Sequence, residues 1–378
     1  MTGIRILMAA GGTGGHIMPA VAAAQAIRQL DPAAEFLFVG AGRPAEEAVL
    51  GPGGWERASV NAAPIKGKGP LAKAKGVFRA VSALFQAAAI VRRFKPDLVF
   101  GAGGYSSGPV GLAARLSGVP LFIHEQNRRP GLTNRLLARL SSRVFLGDPG
   151  AAGHFARAKT LYVGNPVRPE IFADSPKEPS PGKPFTLLVL GGSQGAESLN
   201  RAVGSALAGL KGLGGVRVIH QAGAAGEKSL RPLYEASGLD FELGAFFTDM
   251  ARLYREADLA LCRAGALTLA ELAAAGAPSA LVPLPWAADD HQTRNAEAFE
   301  EAGAALTVPE KALTGEKVVS LVEGFLDVPG RLARMSKAAM GLARRDSAAR
   351  MAAEIYAAAS ARRARSGRKG VGMPRTAL

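Results

Sequence analysis

The sequence predicts an α/β protein made of two doubly wound parallel-sheet domains. Three observations lead there. Short apolar runs of four to seven residues alternate with longer helical patterns along most of the 378 residues. Each of several runs opens directly into a glycine-rich loop and then a helix. The opening arrangement of strand, glycine loop and helix returns after residue 185, which points to a second domain of the same kind.

The first run, Ile4–Ala10, is almost wholly apolar, as a strand buried on both faces requires. Gly11-Gly12-Thr13-Gly14-Gly15-His16 follows, and a helical pattern opens with Pro19 near its first turn. Glycines let the backbone approach a ligand, and free N–H groups at a helix start attract anionic or oxygen-rich groups. The glycine spacing is neither G-x-G-x-x-G nor a P-loop. Glu35–Gly40 reads as a second strand, Ala45–Leu50 as a short helix, Asn61–Pro70 as a basic loop and Leu71–Phe94 as a long helix ended by Lys95-Pro96. Further strands are expected at Asp97–Gly101, Pro120–Glu125, Arg143–Leu146 and Leu161–Val163. The first of these runs into Gly103-Gly104-Tyr105-Ser106-Ser107-Gly108-Pro109, and the second opens onto Gln126-Asn127.

Gly164-Asn165-Pro166 marks a change of character, and residues 174–184 have the Pro, Ser and charge content of a linker. The second domain then reads as strands at Thr186–Leu190, Val216–Gln221, Asp240–Ala245, Leu259–Cys262 and Ala280–Val282. Its glycine loop is Gly191-Gly192-Ser193-Gln194-Gly195, and a helix starts after Gly265. The expected division is 1–164, 165–345, a C-terminal helix at 346–360 that packs back on the first domain, and a disordered basic tail over 361–378. The two domains are expected to face a cleft, with ligands beyond the carboxyl ends of the strands.

The formal charge of +15 is unevenly spread. From Arg57 to Pro96 there are nine Lys/Arg and no acid, and Arg128 to Arg143 holds five more Arg. Nucleic acid, an anionic membrane surface or an acidic substrate could each account for this. The single cysteine, Cys262, excludes an intrachain disulfide and fits a reducing compartment. No signal-peptide pattern, uninterrupted apolar span, metal-ligand motif or covalent-nucleophile motif is present, so no cofactor is expected.

Taken together, the loops carry a resemblance. GGTGGH at 11–16, GAGGYSSGP at 101–109, HEQNRRPGLTN at 124–134, GNPVR at 164–168, GGSQGAESLN at 191–200, CRAGALTLAE at 262–271 and DDHQTRNA at 289–296 occur in this order. The chain resembles the MurG family of glycosyltransferase family 28 over about residues 4 to 356. The resemblance implies an inverting transferase of the GT-B fold that moves GlcNAc from UDP-GlcNAc to the C4 hydroxyl of the muramoyl sugar of lipid I, forming lipid II. The alternatives are a GT-B enzyme with another acceptor, or a non-enzymatic basic nucleotide-fold protein that binds nucleic acid or nucleotide. No aromatic RNA-binding signature supports the last.

The same resemblance proposes roles residue by residue. Thr13, Gly14 and Gly15 match the loop near the transferred sugar, and Asn127 matches a donor-sugar contact. Arg168 and Ser193 match uridine- and pyrophosphate-side contacts, and Phe247 falls where backbone groups hold the uracil. Ala266, Leu267, Thr268, Leu269 and Ala270 match the helix start under the diphosphate. Glu271 is placed for the ribose hydroxyls and Gln292 for the sugar hydroxyls. Such a helix start stabilises charge growing on departing UDP. The general base is open: His16 ends the first loop and is of the residue type best suited to proton exchange near neutral pH, and Glu125 is the second candidate. Both have a bland alternative, a loop-shaping hydrogen bond.

Tyr105 and Ser106 belong with the acceptor side. Phe78, Val81, Leu84 and Phe85 occur at helical spacing among Lys66, Lys68, Lys73, Lys75 and Arg79. They read either as a helix packing its apolar face inward or as a peripheral patch on the anionic cytoplasmic face of a bacterial inner membrane. Cell-wall synthesis and division proteins are further expected partners; nucleic acid is not.

Overall fold

The computed structural model describes residues 3–11, 14–62, 70–155, 159–178, 182–192, 195–286, 290–328 and 330–370. The chain divides into two compact units. Unit 1 runs up to Pro166 and resumes at Asp346; unit 2 is Val167–Arg345.

Unit 1 alternates strand and helix: β1 (Arg5–Ala9), α1 (Gly14–Leu30), β2 (Glu35–Gly40), α2 (Pro44–Leu50), β3 (Glu56–Ser59), α3 (Pro70–Phe94), β4 (Leu98–Gly101), α4 (Ser107–Leu116), β5 (Leu121–Glu125), α5 (Leu132–Ala138), β6 (Arg143–Leu146) and β7 (Thr160–Tyr162). The sheet order is β3-β2-β1-β4-β5-β6-β7, with every pair parallel. The strands carry apolar residues on both faces because helices cover both faces. Ile6, Met8, Phe36, Phe38 and Phe100 enter one core, and their neighbours Leu7, Leu37, Val39 and Val99 enter the other. The sequence reading missed β3, an edge strand registered Leu37↔Glu56 to Gly40↔Ser59 and largely exposed.

Unit 2 repeats the plan with β8 (Phe185–Leu190), α6 (Glu197–Gly212), β9 (Val216–Gln221), α7 (Gly223–Ser237), β10 (Asp240–Gly244), α8 (Met250–Glu256), β11 (Leu259–Cys262), α9 (Ala266–Ala274), β12 (Ser279–Leu281), α10 (His291–Glu301), β13 (Ala305–Thr307), α11 (Gly315–Leu326) and α12 (Arg331–Leu342). Its order is β10-β9-β8-β11-β12-β13, again parallel throughout.

After α12 the chain returns to unit 1 as α13 (Ser347–Gly370). Met351, Ala352, Ile355 and Ala359 recur at helical spacing and are buried in one cluster with Ile17, Ala20, Ala24 and Ile27 of α1. Burying Met351 and Ile355 contributes about 1.5–3 kcal/mol each. Ser347 Oγ donates to the Gly164 carbonyl at 3.0 Å. The helix does not stop at Ser360, where a disordered tail was expected: it runs to Gly370. Arginine is a good helix former, and two arginines beyond Ser360 find partners. Arg362 donates to the Gly118 carbonyl, and Arg363 to the Gly3 carbonyl and, at 3.1 Å, to Asp97. Residues 371–378 lie outside the described residues. Among the described residues no helix is long and apolar enough to cross a membrane.

Candidate active site

In both sheets the strand order reverses beside the first strand, between β1 and β4 and between β8 and β11. Ligands of such sheets bind beyond the carboxyl ends of the strands at that reversal. Each glycine loop leaves a strand at this edge.

In unit 1 the loop after β4 is pressed against the loop after β1. Gly103 and Gly104 have φ of +97° and +81°, a region that favours glycine. A β-carbon on Gly104 would lie 2.1 Å from the Gly11 carbonyl oxygen. One on Gly103 would lie 2.6 Å from Cδ2 of His16. The His16 imidazole therefore rests on the Gly103 backbone in the first turn of α1, half-buried, with Gly14 and Gly15 beside it. Ser107 Oγ ties the loops, within 2.8 Å of the Ala9 carbonyl and 2.6 Å of the Gly103 carbonyl. Glu46, buried at the start of α2, accepts the N–H groups of Ala41, Gly42 and Arg43 at 3.0, 2.9 and 3.3 Å. It also lies against Gly11 and Gly40.

The loop after β5 is organised by Glu125. Its Oε1 accepts the backbone N–H of Asn127 (2.9 Å) and Asn127 Nδ2 (3.1 Å); its Oε2 accepts the Gly131 N–H (3.2 Å) and Asn134 Nδ2 (2.9 Å). Burial raises its pKa against the pull of these donors. Both oxygens are thus occupied in the interior, where the carboxylate braces the loop that presents Asn127. Gln126 Nε2 donates to the Ala102 carbonyl at 2.7 Å, linking this loop to the one after β4. The neighbouring His124 is wholly buried, and burial pulls its pKa down to about 4, so it is neutral near pH 7. Ser106, expected on the acceptor side, is fully buried, and its hydroxyl has no hydrogen-bond partner among the described residues. It sits at the turn into α4 facing Gly11, while Tyr105 is exposed and faces the Arg43 guanidinium.

In unit 2 the loop after β8 needs Gly195, where φ is +76° and a β-carbon would lie 2.2 Å from the Ala222 carbonyl oxygen. The loop after β11 ends at Gly265, the N-cap of α9. The first N–H groups of a helix lack internal partners, so those of Ala266, Leu267 and Thr268 point out of the helix start. The Leu269 N–H is spent on the Gly265 carbonyl (2.9 Å), and its side chain is in the core. Ala270 follows it inside the helix. Glu271 lies one turn on. Its Oε2 accepts the Tyr254 hydroxyl at 2.9 Å, burial raises its pKa, and the Tyr254 bond and the charge of Arg168 pull it back. Tyr254 is fully buried.

Phe247 is half-buried, and its N–H is already bonded to Gln221 Oε1 at 3.0 Å. Its carbonyl is what remains for the expected backbone contact. Gln292, in the first turn of α10, accepts the Leu284 N–H at 3.0 Å through Oε1, which orients its amide NH₂. Asn295 Nδ2 ties α10 to the Ala264 carbonyl at 3.2 Å. Cys262 is buried with its thiol pushed up to about 12, an inert core residue.

The structure therefore groups Gly14, Gly15, His16, Tyr105 and Asn127 at one edge of unit 1, and Arg168, Phe247, Ala266–Thr268, Glu271 and Gln292 in unit 2. Thr13, Ser193, Lys66 and Lys68 lie outside the described residues, as do the side chains of Lys73 and Lys75. The sequence reading missed four braces: Glu46, Gln221, Tyr254 and Arg263. Arg263 bonds the Val282 carbonyl (3.1 Å) and Ser198 Oγ (2.9 Å) and pairs with Glu310.

Two family models match the chain. The glycosyltransferase family 28 N-terminal domain covers residues 6–146, and the C-terminal domain covers 186–351. A curated protein of Geobacter sulfurreducens is 41% identical over 358 residues, spanning 94% of this chain and 98% of its own length. It is named UDP-N-acetylglucosamine–N-acetylmuramyl-(pentapeptide) pyrophosphoryl-undecaprenol N-acetylglucosamine transferase. A Methylococcus capsulatus protein of the same name is 45% identical over 346 residues, with 91% and 96% covered. The crystal structure of Acinetobacter baumannii MurG superposes with a TM-score of 0.74 at 32% identity, covering 93% of this chain and 99% of that one. With both halves matched in order and both sheets wound as a GT-B enzyme requires, the chain belongs to glycosyltransferase family 28, among the MurG transferases.

Proposed function

We propose that the chain is an inverting N-acetylglucosaminyltransferase that moves GlcNAc from UDP-GlcNAc to the C4 hydroxyl of the muramoyl sugar of lipid I, giving lipid II for peptidoglycan. The carrying observation is the start of α9, with three outward N–H groups and the braced Glu271 carboxylate one turn on. The diphosphate rests on that helix start, whose dipole stabilises the charge left on UDP as the sugar C1–O bond breaks. Glu271 accepts the ribose hydroxyls, the Gln292 NH₂ donates to a sugar hydroxyl, and Asn127 both donates and accepts. In unit 1, His16 takes the proton of the attacking hydroxyl as the new C1–O bond forms.

The test is incubation with labelled UDP-GlcNAc and a lipid I analogue. Label in the lipid product and equimolar UDP are expected; UDP binding without transfer would reject the reading. Within it, Glu271→Ala is expected to raise KM for UDP-GlcNAc by at least about 100-fold, the worth of two hydrogen bonds to a charged group, with kcat nearly unchanged. Tyr254→Phe leaves the carboxylate in place but unbraced, so its KM effect should be smaller, about three- to tenfold. Steady-state kinetics of the two variants check the order.

Unit 1 also carries a surface suited to a lipid-linked acceptor. Leu84 packs into the core, but Phe78, Val81 and Phe85 of α3 are exposed at 74%, 46% and 72%. Leu116 on α4 and Leu132 on α5 are exposed at 72% and 59%. Exposed apolar groups beside a basic stretch fit peripheral binding to the anionic cytoplasmic face of the inner membrane. Phe78→Ser with Phe85→Ser is expected to weaken binding to anionic vesicles about tenfold or more, while turnover of a short-chain soluble acceptor is unchanged. Sedimentation with liposomes reads the first and a UDP-release assay the second.

A further inference from the structure

The opposite edge of the unit 1 sheet holds a second concave site. At the amino ends of β5 and β6 lies a cavity of about 810 Å³ lined by Arg115, Arg143, Lys159, Arg362 and Arg365, together with apolar residues that include Phe122. Of the described residues that line it, none is acidic. A solvated surface normally intersperses the two signs; here Glu354 pairs with Arg143 from beside the hollow, and the cations gathered around it outnumber that one carboxylate, an excess that a bound anion would offset. Concave walls also focus the field into the hollow.

Two of the cations are fixed in place. Arg143 is held by Glu354 of α13 at 2.8 Å, and Arg362 donates to the Gly118 carbonyl. Arg115, Lys159 and Arg365 are exposed around them. One wall is the part of α13 beyond Ser360, so the segment expected to be a loose tail completes the hollow. Four of the five cations are guanidinium groups, whose planar forks match phosphate oxygens in pairs.

We propose that this cavity is a second anion site, separate from the glycine loops, that takes a group carrying multiple phosphate charges. That chemistry has two sources, a soluble polyphosphorylated compound or the phosphates of membrane lipids, and one experiment separates them. Full-length protein saturated with UDP, so that the site at the glycine loops is filled, is titrated with inorganic triphosphate. It is also mixed with phosphatidylcholine vesicles containing or lacking phosphatidylglycerol. The test variant is Lys159→Glu with Arg365→Glu, both exposed side chains. A control, Lys228→Glu with Lys311→Glu, makes the same charge change in unit 2.

The test pair is expected to lose at least about tenfold in affinity where the control loses less than about threefold. Both variants should keep the wild-type melting temperature and turnover of a soluble acceptor. Loss of triphosphate affinity identifies a soluble ligand, and loss confined to phosphatidylglycerol vesicles identifies lipid phosphate. Either supports the site. Failure of the wild type to bind either probe, or equal losses in the test and control pairs, overturns it.

Discussion

Gly104→Ala is expected to lower kcat/KM by at least about 100-fold and to destabilise unit 1 by about 2–5 kcal/mol, the sum of a left-handed backbone penalty and an overpacking penalty. Residue 104 has φ +81°, and its β-carbon would stand 2.1 Å from a backbone oxygen of Gly11. A backbone carbonyl cannot swing aside as a side chain can. Either the loop after β4 or the loop after β1 must move, and His16 rides on their contact. Gly14→Ala is the comparison: a β-carbon there meets nothing within 4 Å, so little stability should be lost. Thermal melts and steady-state kinetics of both variants decide the matter. A Gly104→Ala enzyme with unaltered kinetics would mean that the two loops are not coupled.

His16→Ala should lower kcat by about 10²–10⁴, the usual worth of a general base. KM for UDP-GlcNAc should change less than kcat, because the proposed nucleotide contacts, Ala266–Thr268 and Glu271, lie in unit 2, and the melting temperature should change little, because the imidazole is only half-buried. The acid limb of the pH–rate profile should vanish with it, since a base works only when unprotonated. Glu125→Gln should behave in the opposite way. It removes charge from an oxygen pair that holds four donors, so the melting temperature should fall and the acid limb should persist. If Glu125→Gln alone removed the limb, the two roles would be exchanged.

The contrast between these residues shows what could be read from the chain alone. Strands buried on both faces, such as LVFG and LALC, declare themselves through continuous apolar runs. The sequence ERAS of β3 does not, because an edge strand is defined by pairing with β2 rather than by burial. The glycine loops were legible because tight backbone approach needs glycine locally, whereas the role expected of Glu271 came from the family resemblance. Their braces were not legible. Tyr254 meets Glu271 across 17 positions and Gln221 meets Phe247 across 26, and such pairs exist only once helices and strands have docked. The donors around Glu125 were hidden for the same reason: where Asn134 and Gly131 land around the carboxylate is set only by the fold.

The late return of α13 has a bearing on biosynthesis. One flank of the amino-terminal lobe is covered by Met351, Ala352, Ile355 and Ala359, which leave the ribosome long after the sheet they shield. At about 5–20 residues per second, the nascent lobe waits roughly ten to forty seconds with α1 uncovered. During that interval its uncovered apolar flank is surface of the kind that chaperones bind, and a message truncated before codon 347 would leave that flank uncovered.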